Sequence, residues 1–304
     1  MVKELIKPSV ICFGEILWDN LPKVRKAGGA PMNVAYHLNV IGAESQLISR
    51  VGNDQPGTEL LSFCSGKGLP TPLIQIDEIH STGEVNARIM DNHEVVYDIL
   101  PGAAWDYISL NSNLKQLAAD ADAFVYGSLA SRNPVSRETL LGILESARFK
   151  VFDVNIRAPH YTKETLTFLL NKADLLKLNN DELNLLGEWF YKKDAAETDS
   201  IKFLQQAFNI PEIIITKGSD GASFYNTTDA CHRKAYPVKV ADTVGAGDSF
   251  LAAFLYKKLM GEALTDALDY ALGMGAFIAS QSGACPAYTP ADLDHFIVQQ
   301  QQEL

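Results

Sequence analysis

The chain has 304 residues, 47% of them hydrophobic and 21% charged, which is typical of a globular protein long enough to bury a core without cross-links. Its formal net charge of −11 argues against nucleic acid or an anionic membrane as the main partner, because both attract a basic surface. The four cysteines form no C-x-x-C pair, and no run resembles a signal peptide or a membrane span. We therefore expect a cytoplasmic protein with free thiols.

Short strand-like runs alternate with helical patterns along most of the chain. The strand-like runs lie at 9–17, 45–52, 122–130, 149–156, 174–179 and 212–218. The helical patterns lie at 31–42, 58–68, 135–148, 162–173, 181–189, 245–261 and 263–283. This alternation predicts βαβ units with right-handed crossovers, and therefore a mostly parallel sheet covered by helices.

Two segments break this alternation. Between Gly83 and Leu100, two strand-like runs flank Asp91-Asn92-His93, and these residues suit the turn of a hairpin. The segment 17–26 also lacks a helical pattern. We interpret both as strands of a small accessory sheet outside the core; the alternative is that they are edge strands of the core sheet.

The most informative motif is Asp242-Thr243-Val244-Gly245-Ala246-Gly247-Asp248, which leads directly into an apolar helical pattern. Its glycines let backbone N–H groups converge, and a helix N-terminus adds positive potential, so the turn predicts a phosphate site. A carboxylate there is a poor phosphate ligand, but Asp248 suits a general base that takes the proton of an attacking hydroxyl. The alternative is that Asp248 only caps the helix.

A second motif, Gly28-Gly29-Ala30-Pro31-Met32-Asn33, places two glycines before a helix that Pro31 can begin. Such a loop lets a ligand approach the backbone, and the Asn33 amide can donate to and accept from a polyol. The alternative is a plain glycine turn with a capping asparagine. No P-loop occurs, and Gly218 and Gly221 precede a strand-like run instead of the helix that a dinucleotide fingerprint requires.

Together these motifs resemble those of the ribokinase-like (PfkB-type) carbohydrate kinases. The two signatures of that family correspond to residues 14–35 and 242–250. Internal motifs correspond to Asp153-x-Asn155-x-Arg157, Asn179-x-x-Glu182 and Thr216-Lys217-Gly218-x-x-Gly221. The resemblance covers essentially the whole chain. It implies one kinase domain over 1–304, with a three-layer α/β/α core and a β-sheet lid formed by about 17–32 and 83–106.

The resemblance also implies roles for individual residues in an ATP-dependent transfer. Asp248 would be the catalytic base, and the anion hole would comprise the amides of Gly245, Ala246 and Gly247. Arg157 would lie near the transferring phosphate, with a surface salt bridge as its alternative. Sugar hydroxyls would be bound at Asp19, Gly28, Gly29, Asn33 and Trp105.

The nucleotide and its ions would lie on the other side of the same site. The resemblance implies nucleotide contacts at Asn179, Thr216, Gly218 and Gly221. Glu182 would organise Mg²⁺, mostly through water, and Asp242 is the place for a potassium ion. The alternative for the pair Asn179 and Glu182 is a helix cap beside a solvated carboxylate. The segment 279–284 lacks the basic residues that many members carry, which leaves nucleotide preference and potassium dependence open.

Within the family, the runs 14–19, 37–38 and 97–106 are similar to those of fructokinases, which implies phosphorylation of the C6 hydroxyl of fructose. Ribose, 2-keto-3-deoxygluconate, nucleosides and phosphosugars remain alternative substrates. Lys23, Arg25 and Lys26 keep the phosphosugar open. A catalytically silent sugar-binding regulator is a further alternative, against which the retained Asp248 argues. Because a small sheet exposes its edges, we also expect a homodimer through the lid.

Overall fold

The structure is a computed structural model that describes residues 7–21, 24–89 and 95–302. Its first strand, β1 (Ser9–Phe13), shows how the main sheet is built. Val10 and Cys12 point into one apolar cluster, whereas Ile11 and Phe13 point into another on the opposite face. A strand buried on both faces reads as a continuous apolar run, which is the pattern that predicted it.

Nine strands form the main sheet, in the order β13-β12-β11-β10-β9-β8-β1-β4-β5. Numbered along the chain, those that follow β1 are β4 (Glu44–Gly52), β5 (Ile74–Asp77), β8 (Ala123–Gly127), β9 (Lys150–Asp153), β10 (Leu175–Asn179), β11 (Glu212–Thr216), β12 (Ala222–Tyr225) and β13 (Ala230–Arg233). The neighbours from β5 to β11 are parallel, whereas β12 and β13 form antiparallel pairs at one edge. The predicted mostly parallel sheet is confirmed.

Helices cover both faces of this sheet. One face carries α1 (Ala30–Val40), α2 (Gln55–Gly66), α8 (Ala246–Leu259), α9 (Leu264–Ala279) and α10 (Pro290–Gln302). The other carries α3 (Ser112–Asp120), α4 (Pro134–Leu144), α5 (Lys163–Leu170), α6 (Asn180–Phe190) and α7 (Glu197–Phe208). The three-layer α/β/α core is therefore as expected. Within the described residues, none of the helices has the length and hydropathy needed to cross a bilayer.

A separate four-stranded sheet has the order β3-β2-β6-β7. It consists of β2 (Leu17–Leu21), β3 (Val24–Gly28), β6 (Gly83–Ile89) and β7 (Val95–Ile99). The two segments that break the alternation thus pair with each other and are not edge strands of the core. The expected hairpin is present as the antiparallel pair β6 and β7, but its turn residues Asp91, Asn92 and His93 lie outside the described residues.

The small sheet is shorter than the expected 17–32 and 83–106. Residues 30–32 already belong to α1, because Pro31 begins that helix, and 104–107 form a short 3-10 turn. Trp18 and Arg25 connect the small sheet to α2. The Trp18 Nε1–H donates to the carbonyl of Pro56 at 3.0 Å, and Arg25 pairs with Glu59 at 2.8 Å. The sheet is therefore docked against the core beside the carboxyl ends of its strands.

Candidate active site

A cavity of about 660 Å³ lies between the small sheet, the beginning of α8 and the carboxyl ends of the parallel strands, where open α/β sheets usually bind ligands. The structure brings most of the sequence-predicted residues to its wall: Asp19, Gly29, Asn33, Arg157, Asn179, Thr216, Asp242, Gly245, Gly247 and Asp248. The remaining candidates lie behind the wall or away from it: Gly28, Trp105, Glu182, Gly218, Gly221 and Ala246.

The beginning of α8 forms one wall of the cavity. Gly245 precedes the helix with a φ of 80°, a conformation that side-chain-bearing residues rarely adopt. A Cβ on Gly245 would lie 2.6 Å from the Cβ of Ala284, so the turn packs closely on the segment after α9. Of the three expected anion-hole amides, that of Ala246 donates to the carbonyl of Thr243 at 3.3 Å. Gly245 and Gly247 face the cavity.

Asp248 lies in the first turn of α8, and its carboxylate faces the cavity. Burial and the nearby Asp153 carboxylate raise the pKa of Asp248 above its usual range, although Lys177, Asn33 and Arg157 oppose this. The Asn33 Nδ2–H donates to Asp248 Oδ2 at 2.8 Å. Asp248 is therefore more than a helix cap, because its side chain bonds across the cavity to the beginning of α1.

The orientation of the Asn33 amide follows from its two neighbours. An ionised carboxylate can only accept, so Nδ2 faces Asp248 and Oδ1 faces the thiol of Cys285, 3.3 Å away. Burial and the Asp248 charge raise the pKa of the Cys285 thiol, which keeps it protonated as a donor. A chain of donors therefore runs from Cys285 through Asn33 to Asp248.

A buried ion pair lies beneath this wall. Lys177 lies in the middle of β10, and its Nζ is 3.0 Å from both carboxylate oxygens of Asp153 on β9. Burial alone would lower the pKa of Lys177, but Asp153, Glu182 and Asp248 raise it overall. A Cβ on Gly247 would lie 3.2 Å from the Lys177 ammonium. The positive charge of Lys177 thus lies directly behind the turn that faces the cavity.

Asn179 and Glu182 connect β10 to α6 through a reciprocal cap. Asn179 Oδ1 accepts from the Glu182 N–H at 2.9 Å, and Glu182 Oε2 accepts from the Asn179 N–H at 2.8 Å. Glu182 Oε1 also accepts from the Ile156 N–H at 2.9 Å. Burial and Asp153 raise the pKa of Glu182. The helix cap of the alternative interpretation is therefore present, but the Glu182 carboxylate is buried rather than solvated.

The small sheet supplies the opposite wall. Asp19 on β2 lies directly across from Lys26 on β3, and burial raises the pKa of Asp19 to about 6, with Arg157 and Lys26 opposing. A Cβ on Gly28 would lie 2.4 Å from Asp19 Oδ2, so this glycine leaves room for the carboxylate. Gly29, with a φ of 117°, leaves a Cβ position only 2.3 Å from the Glu15 carbonyl.

Asp242 begins the turn before α8, and its two oxygens have three donors. Oδ1 accepts from the Val244 N–H at 3.1 Å, and Oδ2 accepts from the Gly283 N–H at 3.1 Å and from Lys26 Nζ at 3.0 Å. Burial alone would raise the pKa of Asp242, but these donors lower it overall. An ammonium group therefore stands where the resemblance implies a potassium ion.

Three predicted contacts lie away from the cavity wall. Trp105 is fully buried beneath the wall, with Arg132 stacked on its ring at 4.1 Å, so it is a packing residue of the small-sheet base. Gly221 is pressed against β13, where a Cβ would lie 1.9 Å from the Arg233 carbonyl. Gly218 is exposed in the same turn. The nucleotide-facing prediction for this turn therefore depends on Thr216.

The sequence did not single out several residues of the site. Glu15 lines the cavity, and burial raises its pKa to about 7, with Asp248 adding and Arg157 opposing. Lys177 carried a usable signal, because a lysine inside an apolar strand needs a buried partner. No feature of the sequence indicated the role of Cys285, since its partner Asn33 lies 252 residues away.

The fold and this cavity define a class of protein: an α/β phosphotransferase with a helix N-terminus for phosphate and a carboxylate beside it. Comparison with known proteins gives the family. The sequence profile of the pfkB family carbohydrate kinases matches residues 9–291. The chain therefore belongs to the pfkB family and is a carbohydrate kinase with a ribokinase-like fold.

Two curated relatives differ in the substrate that their names carry. Probable fructokinase-5 of Arabidopsis thaliana is 27% identical over 315 residues, which cover 94% of this chain and 96% of its own. A 5-dehydro-2-deoxygluconokinase of Halalkalibacterium halodurans is 27% identical over 274 residues, which cover 86% of this chain and 81% of its own. The chain is fructokinase-like, and at this identity the relatives do not decide its substrate.

Two solved structures share the fold. A fructokinase of Xylella fastidiosa with bound ATP has a TM-score of 0.86 at 23% identity, covering 97% of this chain and all of that one. A double mutant of the fructokinase of Vibrio cholerae, with fructose, ADP and a potassium ion bound, has a TM-score of 0.83 at 22% identity. It covers 97% of this chain and 100% of that one.

Proposed function

We propose that this chain is a fructokinase, which transfers the γ-phosphoryl group of ATP to the C6 hydroxyl of fructose. One observation carries the proposal: the Asp248 carboxylate, hydrogen-bonded to Asn33, and the beginning of α8 share one wall of a cavity whose other wall presents Asp19. A hydroxyl held between these walls would have a base on one side and phosphate-binding amides next to it.

Asp248 accepts the proton of the attacking hydroxyl in this mechanism. The sugar oxygen forms a bond to the γ-phosphorus, the bond from that phosphorus to the β–γ bridging oxygen breaks, and ADP leaves. The raised pKa of Asp248 makes it a stronger base than an ordinary aspartate, while Asn33 orients its carboxylate. The amides of Gly245 and Gly247 stabilise charge on the transferring oxygens.

The positive groups near the turn before α8 support phosphate binding on an acidic protein. Lys177 stands behind Gly247, and Arg157 lines the cavity on the same side. Asn179 and Thr216 line the part of the wall formed by the ends of β10 and β11, where we place the nucleotide. Gly218 and Gly221 then shape the turn after β11 without contributing to the wall.

Magnesium fits the residues present through water. Within the described residues, no group of three or more His, Cys, Asp or Glu side chains is arranged to hold a metal ion directly. Glu182 lies buried behind the wall and is held in place by two backbone N–H groups, so it would act on a magnesium ion only through water that reaches it from the cavity. Bound with ATP, the ion would neutralise charge on the phosphates.

The alternatives differ in what the cavity must hold. A phosphosugar needs free cations, but Arg25 is engaged by Glu59 and Glu84 and Lys26 by Asp242; Lys23 lies outside the described residues. The dehydro-deoxygluconokinase relative favours a keto sugar acid as the second candidate. A panel of fructose, ribose, 2-keto-3-deoxygluconate, 5-dehydro-2-deoxygluconate and adenosine, with ADP release measured, separates them. Phosphorylation of none of these would favour a silent regulator.

Asp248→Asn tests the base. The variant keeps the size of the side chain but cannot take a proton, and loss of a general base costs about 10²–10⁴ in rate. We expect sugar and ATP to bind, by calorimetry, while kcat falls by that factor. Asp199→Asn, an exposed carboxylate in the first turn of α7, is the matched control. A kcat for Asp248→Asn within a few-fold of wild type would remove Asp248 from the role.

Two further parts of the proposal concern the setting of the enzyme. The edges of the small sheet, β3 and β7, favour a homodimer through that sheet, and light scattering coupled to size-exclusion chromatography measures the mass of the particle.

The four cysteines are free, which favours a reducing compartment such as the cytoplasm. Fractionation of cells that express a tagged chain tests the location.

A further inference from the structure

Strand β3 carries two adjacent cations that have different partners. Arg25 turns outward to Glu59 on α2 and Glu84 on β6, at 2.8 and 2.9 Å, and its guanidinium stacks on Trp18. Lys26 turns into the cavity, where its Nζ is 3.0 Å from Asp242 Oδ2. Only Lys26 of these two therefore crosses from the small sheet to the phosphate side of the site.

The Lys26 side chain contacts both core segments that meet at this point. Its Nζ lies 3.4 Å from Ser282 Oγ, and its carbon chain passes over Gly283, where a Cβ would lie 3.4 Å from Lys26 Cδ. Gly283 in turn donates its N–H to Asp242. The ammonium thus joins the turn before α8 to the segment after α9.

On its other side, Lys26 faces the sugar-binding wall. It lies opposite Asp19 in the register of β2 and β3, and its charge lowers the pKa of Asp19 against the effect of burial. One ammonium therefore serves two carboxylates, one on the small sheet and one at the turn that precedes the anion-hole amides. The ion pair between Lys26 and Asp242 is partly shielded from solvent, so screening weakens it less than a surface pair.

We propose that Lys26 is a positioning residue that couples the two halves of the site, because its ammonium is the counter-ion of Asp242 only while the small sheet is closed over the cavity. Sugar bound beneath the small sheet holds Lys26 in place, and Lys26 then fixes the turn that binds the phosphates. The inference rests on the proposed function, since it assumes a sugar on one wall and a nucleotide on the other.

A potassium ion at Asp242 bears directly on this inference. Each carboxylate oxygen of Asp242 already accepts at least one hydrogen bond, so a potassium ion would compete with a donor at either oxygen. Lys26 also supplies the positive charge that the ion would bring. A tethered cation is present whenever the small sheet is closed, at any potassium concentration. The wild-type chain should then work without potassium, whereas a chain without Lys26 should need it.

The test is a comparison of Lys26→Met with Arg25→Met, the adjacent cation that does not reach Asp242. Fructose, or the acceptor that the sugar panel selects, is titrated calorimetrically with and without a non-hydrolysable ATP analogue and Mg²⁺. In wild type we expect the analogue to tighten sugar binding about fivefold or more. In Lys26→Met this coupling should fall below about twofold, and Arg25→Met should retain it.

Two more measurements complete the test. Asp242→Asn should lose the same coupling, and the double variant should lose no more than either single variant, because both remove one interaction. Replacing KCl by tetramethylammonium chloride should change wild-type kcat less than about twofold and Lys26→Met kcat much more, since only the variant lacks a counter-ion.

Three results would overturn the inference. These are coupling retained in Lys26→Met, additive losses in the double variant, or strong potassium stimulation of wild type. A wild-type chain that phosphorylates no sugar of the panel would instead overturn the proposed function. Because this measurement uses only the wild-type chain, its failure is distinguishable from a failure of the Lys26 inference.

Discussion

At the scale of single residues, the amide of Asn33 sets the state of the proposed base. Its Nδ2 donates to Asp248 and its Oδ1 accepts from Cys285. An ionised carboxylate can only accept and a protonated thiol donates, so these two partners fix the orientation of the amide. The donated hydrogen bond favours the ionised form of Asp248, against burial and the Asp153 charge. If Asp248 is the base, the pH below which activity is lost should depend on Asn33.

The prediction concerns the acid limb of kcat/KM. Asp248 must be ionised to take a proton, and its pKa is raised, so activity should be lost as pH falls through a value above the usual aspartate pKa of about 4. Asn33→Ala removes a donor that lowers this pKa, so the limb should move to higher pH. Activity measured from acid to neutral pH on both proteins locates it.

The control separates two carboxyl groups that titrate nearby. Burial raises the pKa of Glu15 to about 7, and this carboxyl also lines the cavity, so it could produce such a limb by itself. Glu15→Gln should keep the limb, although its rate changes. A limb that disappears in Glu15→Gln and does not move in Asn33→Ala would assign it to Glu15.

A second prediction at this scale concerns the buried pair Lys177 and Asp153. Lys177→Met leaves the Asp153 carboxylate buried without its cation, which typically costs about 3–5 kcal/mol of unfolding free energy. Urea denaturation measures it. Lys172→Met, which breaks an exposed pair with Glu145, should move the midpoint far less. Equal shifts in the two variants would show that the buried pair has no special role.

At the scale of elements, the junction between β3 and α1 depends on a close backbone approach. Gly29 has a φ of 117° and no room for a Cβ beside the Glu15 carbonyl, so the turn brings the small sheet and α1 together. Asp19 and Asn33, on the two sides of the turn, then face one cavity. The geometry of the wall that we propose for sugar binding follows from this single turn.

Gly29→Ala should therefore damage the site more than the core. Strain at positive φ and the clash with Glu15 should raise the sugar KM and lower the thermal midpoint. Gly66→Ala is the matched control, because nothing lies within 4 Å of a Cβ there and the residue is helical. It should be neutral or stabilising. If both variants bind sugar like wild type, the turn does not position the wall.

The elements that the sequence predicted are those with a clear apolar period. Strands such as β1 and β10 are buried on both faces, and helices such as α5 show one apolar side, so their patterns are strong. Strands β5 and β13 were not predicted, because they are short and half exposed at the two edges of the sheet. Their pairing partners, not their own residues, make them strands.

The site was predictable where one motif carries the chemistry, as in the turn that ends at Asp248. The site was not predictable where two residues distant in sequence meet. Lys26 and Asp242 lie 216 residues apart, and neither sequence segment indicates that it contacts the other. Trp105 shows the opposite limit. Its place after the small-sheet hairpin led to the prediction of a sugar contact, but the indole is fully buried, and such a side chain suits packing as well as a sugar contact.

At the scale of the whole molecule, we predict that the small sheet moves as a unit. Its four strands pair only with one another, and described contacts from Trp18, Arg25 and Lys26 dock it on the core. Closure over the sugar would exclude water, which otherwise competes as phosphoryl acceptor. The two strand pairs, β2 with β3 and β6 with β7, come from separate parts of the chain. If the sheet is a lid, both pairs should become protected together when the sugar binds.

Hydrogen exchange tests this. Fructose should slow amide exchange in Leu17–Leu21, Val24–Gly28 and Gly83–Ile89 together, while an ATP analogue alone should do so less. The buried strand Ala123–Gly127 is the internal control and should not respond. Protection confined to the beginning of α8 would mean that the small sheet is not a lid.

Helix α1 and the segment after α9 are joined by bonds that span most of the chain. His37 donates from Nε2 to the carbonyl of Ala284 at 2.8 Å and accepts at Nδ1 from the hydroxyl of Tyr288, partners that lie 247 and 251 residues further on. At translation rates of about 5–20 residues per second, roughly 10–50 seconds separate the synthesis of these partners. A nascent or truncated chain that stops short of residue 284 lacks the Ala284 contact on which Gly245 packs and the Cys285 thiol that donates to Asn33. We therefore expect ligand binding only after residues 284–288 have been synthesised and have packed on α1.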